Sequence, residues 1–317
     1  MRIHVYAQRQ KEMDPTRTST LRGAFAGAMK RRFNSLTKDL VSAIIIDDCF
    51  GLIEPPVFSI FEKRLSPGKK AFAFSRNDAK IESFINWVKQ LQKQRILNII
   101  EMPQLGEAVN QRWTDMFLQS AYAQGISRAS AEMRTIGMDV PRITRTQALE
   151  LMREPVHADR VALIYTRAYS ELVGITDAMD SQISQILAQG MIEGKGARDL
   201  ADLIANVIID TPGLKASDYI GRFISARRRA ELIARTEIIR AHHLAMIQQY
   251  RNWGLINVHV QAEWKTAGDD RVCSECESLE GEIFTLDEIE GLIPYHPSCR
   301  CLALPWSEEI SKLEKRS

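Results

Sequence analysis

Four cysteines and one histidine fall within two short stretches, "DDRVCSECESLEGEIF" and "PYHPSCRC", of a 317-residue chain that has only one other cysteine. Cys273 and Cys276 are spaced C-x2-C, nineteen residues intervene before His296, and His296 and Cys299 repeat the x2 spacing with Cys301 just beyond. That spacing lets a tight turn bring two donors to one ion while backbone amides support the sulfurs, and two such knuckles supply the four ligands of a tetrahedral site. The pattern points to zinc or an equivalent soft-ligand ion. Five donors compete for four places. Cys273, Cys276, His296 and Cys299 are the preferred set, with Cys301 in place of Cys299 as the alternative. The competing reading is four small core thiols beside a surface histidine.

A self-saturating set of four ligands leaves no open position for water, which favours a structural ion over a catalytic one. The zinc deaminase pattern is not met: the nearby upstream histidine begins His259-Val260-Gln261, and Val272 stands where proline is needed. A nucleic-acid-reading finger is disfavoured too. Residues 263–291 carry ten acids against two Lys and Arg, a field that repels phosphate. A lobe this acidic and this poor in apolar residues is expected to be held together by its ion.

The opposite end has the opposite charge, with nine Lys and Arg against three acids over residues 1–40. No apolar run approaches the roughly 18 residues of a membrane span, and the first residues lack the apolar centre of a signal peptide. The expectation is no membrane partner and a reducing cytoplasm, where clustered cysteines bind metal more often than they pair.

Most of the chain reads as helix. Leu21, Phe25, Met29, Phe33, Leu36, Leu40 and Ile44 recur at spacings of three and four, with Lys30, Arg31, Arg32 and Lys38 on the other faces. Residues 50–78, broken by Gly51, Pro55, Pro56, Pro67 and Gly68, read as a linker or arm with "AFAFS" as a short extended piece. A second helix is expected from near Ile81, through Ile99, to a stop before Pro103, and a third around Trp113, Phe117, Ala121 and Tyr122. A long one follows from Val161 to Leu187, then a shorter one in "ARDLADLIANVI". "SARRRAELIARTEIIRAHHLAMIQQYRNWG" is a further helix closed by Gly254. Val258, Val260, Ala262 and Trp264 then alternate with polar residues as a half-buried strand, with "GEIFTL" as its partner.

On a helical wheel Glu237 falls among Ala230, Ile233, Ala234, Ile238, Ala241, Leu244 and Ala245, and a carboxylate there needs a partner. A structural ion pair is favoured over a catalytic Glu237, with Arg300 or Arg271 as the partner. His242 and His243 read as ordinary helix residues pointing in different directions.

Taken together, "RAELIARTEIIRAHHLAMIQQYRNWG", "EWKTAGDDRVCSEC", "LEGEIF" and "HPSCRC" resemble the phage Mu protein F-like family of minor head, or head morphogenesis, proteins. Upstream, "DPTRTSTLRGAF", "FINWV", "AYAQGI" and "GKGARDLA" look like weaker helical signatures of the same proteins. The resemblance implies a tailed-phage protein that joins the head during procapsid assembly, associates with the portal and affects DNA packaging or delivery. It further implies that Cys273, Cys276, His296, Cys299 and Cys301 match the family's cysteine and histidine positions, and Arg235, Thr236 and Glu237 its ARTE string. Tyr295 departs from the pattern, standing where proline is expected before His296. Some relatives carry a further toxin or transferase domain; with eleven residues after Trp306, no such activity is expected here.

The expected fold is mainly α: a helical bundle with a small zinc-stapled α+β lobe. Its segments are a basic helix and arm at 1–78, a helical domain at 79–215 and a Mu F-like domain at 216–317. The expected role is a non-enzymatic head morphogenesis protein of the virion, at the capsid interior or portal vertex, passing through the host cytoplasm during assembly. Its partners would be the portal protein and possible major capsid or scaffolding proteins. The rival readings are a nucleic-acid-binding protein holding packaged DNA through Lys30, Arg31 and Arg32, and a zinc-dependent enzyme using Glu237.

Overall fold

The structure, a computed structural model, describes residues 14–52, 77–103, 108–209, 224–254 and 260–307. The helices are α1 (Ser19–Ile45), α2 (Asn77–Arg95), α3 (Asp115–Thr135), α4 (Arg145–Leu151), α5 (Pro155–Ile192), α6 (Ala197–Ile208), α7 (Ala226–Gly254), α8 (Ser274–Glu277) and α9 (Leu286–Glu290). The strands are β1 (Ile99–Pro103), β2 (Ala108–Arg112), β3 (Gln261–Lys265), β4 (Ile283–Phe284) and β5 (Leu302–Trp306). The mainly helical fold with a small C-terminal sheet agrees with the sequence reading. Of the expected arm, residues 53–76, "AFAFS" included, lie outside the described residues, as does Val258.

The chain divides into two compact units, each discontinuous, where the sequence reading takes three consecutive segments. One draws on Gly27–Ile99 and Glu171–Glu231. Its buried side chains follow the expected stripes: Met29, Phe33, Leu36, Leu40 and Ile44 on α1, Leu172, Ile175, Met179 and Ile183 on α5, and Leu200 and Ile204 on α6. Helix α5 starts on Pro155, whose missing N–H costs nothing in a first turn. It ends where Lys195 N–H returns to the Gly190 carbonyl at 2.8 Å and Gly194 takes φ +67°, a conformation that favours glycine. Helix α2 stops at Arg95, short of the expected Ile99. The N–H groups of Ile96 and Leu97 both close on the Gln92 carbonyl, each at 2.8 Å, and the β-branched pair Ile99-Ile100 before Pro103 goes into β1 instead.

The other unit draws on Met1–Ala26, Ile100–Ser170 and Leu232–Ser317. Phe25 stacks on Phe117 at 4.7 Å and meets Trp113 edge-on at 5.7 Å. Helix α3 approaches α7 closely: a Cβ on Gly125 would run into the His242 carbonyl and come within 2.7 Å of Ala245 Cβ. Along α7, Glu237, Ile238, Ile239, Ala241, His242, His243 and the run from Ala245 to Tyr250 are all buried. The sequence reading gave this helix one apolar arc, but its middle is covered all round. His242 and His243 do point in different directions, and both directions lead into protein.

The C-terminal sheet has strand order β4-β3-β5, antiparallel throughout, with Ala262 opposite Phe284 on one side and Pro305 on the other. Strand β5 was not expected from sequence. Its Pro305 argues against a strand in general but is tolerated at a sheet edge, where β5 lies. Trp264 on β3 is fully buried, in a core that joins Ala262, Cys276, Ile289, Ile293, Cys299, Cys301, Leu302 and Ala303 to Ala129 and Met133 of α3 and Ile239, Met246, Ile247 and Tyr250 of α7. The lobe therefore does not depend on an ion alone, as its composition suggested. Its apolar partners lie on distant helices, which local composition does not reveal.

Candidate metal centre

Cys273 is the N-cap of α8, a single turn that carries Cys276 back over it. The Cys276 N–H points at Cys273 Sγ at 3.4 Å, the amide support expected of a knuckle. The second knuckle is a turn in which Cys299 N–H bonds to the His296 carbonyl at 3.0 Å, and Cys301 N–H points at Cys299 Sγ at 3.5 Å. Ser298 within it has φ +62°, unusual for a residue with a side chain, and something must hold it there. Thr236 of α7 does so: its hydroxyl donates to the Leu232 carbonyl at 2.8 Å and accepts the Ser298 N–H at 3.0 Å.

These turns bring all five expected donors together. Ligand atoms of Cys273, Cys276 and His296 lie within 4.8 Å of one another, as do those of Cys276, Cys299 and Cys301. Cys276 belongs to both groups. His296 Nε2 stands 3.3 Å from Cys273 Sγ, and its Nδ1 lies 3.0 Å from the Pro297 carbonyl. A carbonyl can only accept, so Nδ1 carries the proton and Nε2 presents its lone pair towards the thiols. That tautomer is the one a metal-bound imidazole needs. Burial raises the Cys276 thiol, while a hydrogen bond from the Cys301 thiol draws Cys299 down. The donor chemistry and the tautomer fit a soft-ligand ion, with Cys276 common to both groups of three.

Two further contacts brace the cluster. Arg300, between Cys299 and Cys301, grips Asp269 with both terminal nitrogens, and Arg271 adds a bond at 2.7 Å. The Arg300 guanidinium holds the Asp269 carboxyl well below the usual carboxylate range. This corrects the expected Glu237–Arg300 pair. Glu237 is buried as expected, but its partners are Arg240 at 3.2 Å and Arg167 at 3.4 Å. The fork of Arg300 meets a carboxylate in its own loop instead, and Arg271 does the same. Sequence reasoning counted Asp269 only as part of the acidic field and did not single out the Thr236 hydroxyl; the proximity of Asp269 to Cys273 was the available signal. His243 also serves the lobe, donating from Nε2 to the Ile289 carbonyl at 2.9 Å. Arg251 holds Glu290 at 2.9 Å, and Arg160 holds the same carboxylate.

Outside this centre, Lys30 and Arg31 are exposed on α1. Arg32 is not free for phosphate as the DNA-binding reading requires: it bonds the Arg95 carbonyl and Asn98 Oδ1, each at 2.7 Å. Among the described residues no helix is long and apolar enough to cross a membrane.

No curated protein and no solved structure matched the chain. The profile of the family described as phage Mu protein F like protein matches residues 181–304, a span that contains α7, β3, β4, the start of β5 and all five donors. Over residues 181–304 the chain is therefore similar to the phage Mu protein F-like family.

Proposed function

We propose that this chain is a minor head protein of a tailed phage, joining the procapsid through the portal protein and supporting DNA packaging or delivery. Its working location is the virion, at the capsid interior or portal vertex, with major capsid or scaffolding proteins as further contacts. The observation that carries the reading is that the family-matched segment coincides with the Cys/His centre. In this reading Cys273, Cys276, His296 and Cys299 hold one structural zinc ion, which would supply a rigid crosslink between the two knuckles. The role is not catalytic. Four protein donors leave no position for water, and the Glu237 carboxylate is engaged by Arg240 and Arg167. Co-expression with the portal protein of the same phage should give a complex that survives size exclusion. Separate elution at micromolar concentration overturns the portal assignment.

The exposed Lys30 and Arg31 favour a second reading, in which α1 touches packaged DNA. With Arg32 committed elsewhere, replacing Lys30 and Arg31 by Gln should lower the salt dependence of DNA binding by about two units. An unchanged slope makes this face a solvated one.

A further inference from the structure

The last two turns of α3 and the loop that follows enclose a cleft of about 520 Å³, lined by Ser127, Ser130, Ala131, Arg134, Arg142 and Ile143 among others. Three of the side chains that α3 contributes to it, Ser127, Ser130 and Ala131, are small. Its far wall is fixed. Ser130 Oγ donates to the Pro141 carbonyl, Val140 is buried, and Thr144 caps α4 with a reciprocal Gln147 bond. Arg134 reaches the cleft from the helix and Arg142 from the loop. Among the described residues neither guanidinium has a carboxylate partner, and no acid lines the cleft.

We propose that this cleft binds a phosphate group. Two guanidiniums, one from the helix and one from the loop, offer several N–H donors to a tetrahedral, multiply charged anion, whereas a carboxylate is satisfied by one such fork. Ser130 and Thr135 already donate their hydroxyl protons to backbone carbonyls, which leaves Ser127, with no hydrogen-bond partner among the described residues, as the hydroxyl donor. The C-terminal end of a helix repels anions, and α3 ends here. That repulsion is reduced, because Ile136 N–H and Gly137 N–H cover the carbonyls of Glu132 and Arg134 at 3.2 and 3.1 Å. The phosphate can come from a nucleic-acid backbone or from a free anion, and the same two arginines would read either.

The test uses the full chain and two probes, inorganic phosphate by titration calorimetry and a short duplex DNA of random sequence by salt-dependent binding. Wild type should bind inorganic phosphate at millimolar or lower concentration, and the Arg134→Gln, Arg142→Gln double variant should bind it about tenfold or more weakly. Far-UV circular dichroism should not change, since both side chains are exposed. If the duplex is a source, the double variant also lowers its salt slope by about two units while phosphate competes with the duplex. Loss of phosphate binding with duplex binding intact assigns the site to a free anion. No phosphate binding by wild type, or equal binding by the double variant, overturns the proposal.

Discussion

At the scale of single residues, burial decides most of what the side chains can do. Glu237 was legible as a carboxylate on an apolar arc, and Arg240, three residues on, was its nearest helical neighbour; the sequence reading looked past it to the ligand loop. Glu237→Ala should destabilise the protein by about 1–3 kcal/mol in urea, less than a fully buried pair because both arginines keep contact with solvent. A loss below a few tenths would deny the pair a structural role. His242 and His243 were not legible as buried, since their burial comes from neighbours on all sides of α7. Burial holds them to about 3 and about 4, below their ordinary 6.5. His242 faces Arg128, Arg22 and Asp14; His243 faces Arg240, Glu290 and the Ile289 carbonyl. Both are neutral when folded and take up protons on unfolding. Their contribution to stability is therefore complete above about pH 6.5 and is lost as pH falls towards 4, at about 1.4 kcal/mol per pH unit for each ring. Urea midpoints at pH 7, 6 and 5 should show His242→Gln with a shallower dependence, by about one proton. Parallel curves for variant and wild type would contradict the assignment.

At the scale of elements, the long helices were legible because apolar residues recur at helical spacing, and β3 because it alternates, whereas "IIEMP", "AVNQR" and "LALPW" of β1, β2 and β5 do not alternate apolar with polar residues. Sequence also concealed a close helix contact. Gly125 sits inside α3 where alanine has the better propensity, and the His242 carbonyl and Ala245 Cβ across the gap explain it. Gly125→Ala should destabilise by about 1–3 kcal/mol, because the obstructing atoms are backbone and cannot rotate away. An unchanged or raised melting temperature would show that α3 and α7 can part without cost. Thr236 joins elements in another way, tying the turn that carries His296 and Cys299 to α7 through one hydroxyl. Thr236→Val keeps the shape and removes the acceptor, so metal affinity should fall about 10-fold or more, while Thr236→Ser retains it. Equal affinity in competition with a chromophoric chelator would leave the turn holding itself.

At the scale of the whole molecule, the two clustered knuckles announced an ion site but not how much else holds the lobe. Composition suggested a lobe that needs its ion to fold. The structure instead seats Trp264, Ala262, Leu302 and Ala303 on a core shared with Met133, Met246 and Tyr250, while Arg251 and His243 of α7 reach α9 from the side. Two kinds of support therefore act on different parts. The segments 266–281 and 294–301 are short turns with few buried side chains, held by the donors and by the Asp269–Arg300 fork. Strands β3 and β5 are held by their ladder and by apolar burial. Protein purified without added zinc should carry about one zinc ion per chain. Chelation should then remove hydrogen-exchange protection from 266–281 and 294–301, because binding and local folding are coupled there. The amides of 261–265, 302–306 and α7 should stay protected, since their support does not pass through the ion. Loss of protection across all of 260–307 would mean that the ion is the lobe's main support and the shared core too weak to keep it docked. No change anywhere, with all four clustered thiols freely titratable before chelation, would mean that the centre holds no metal.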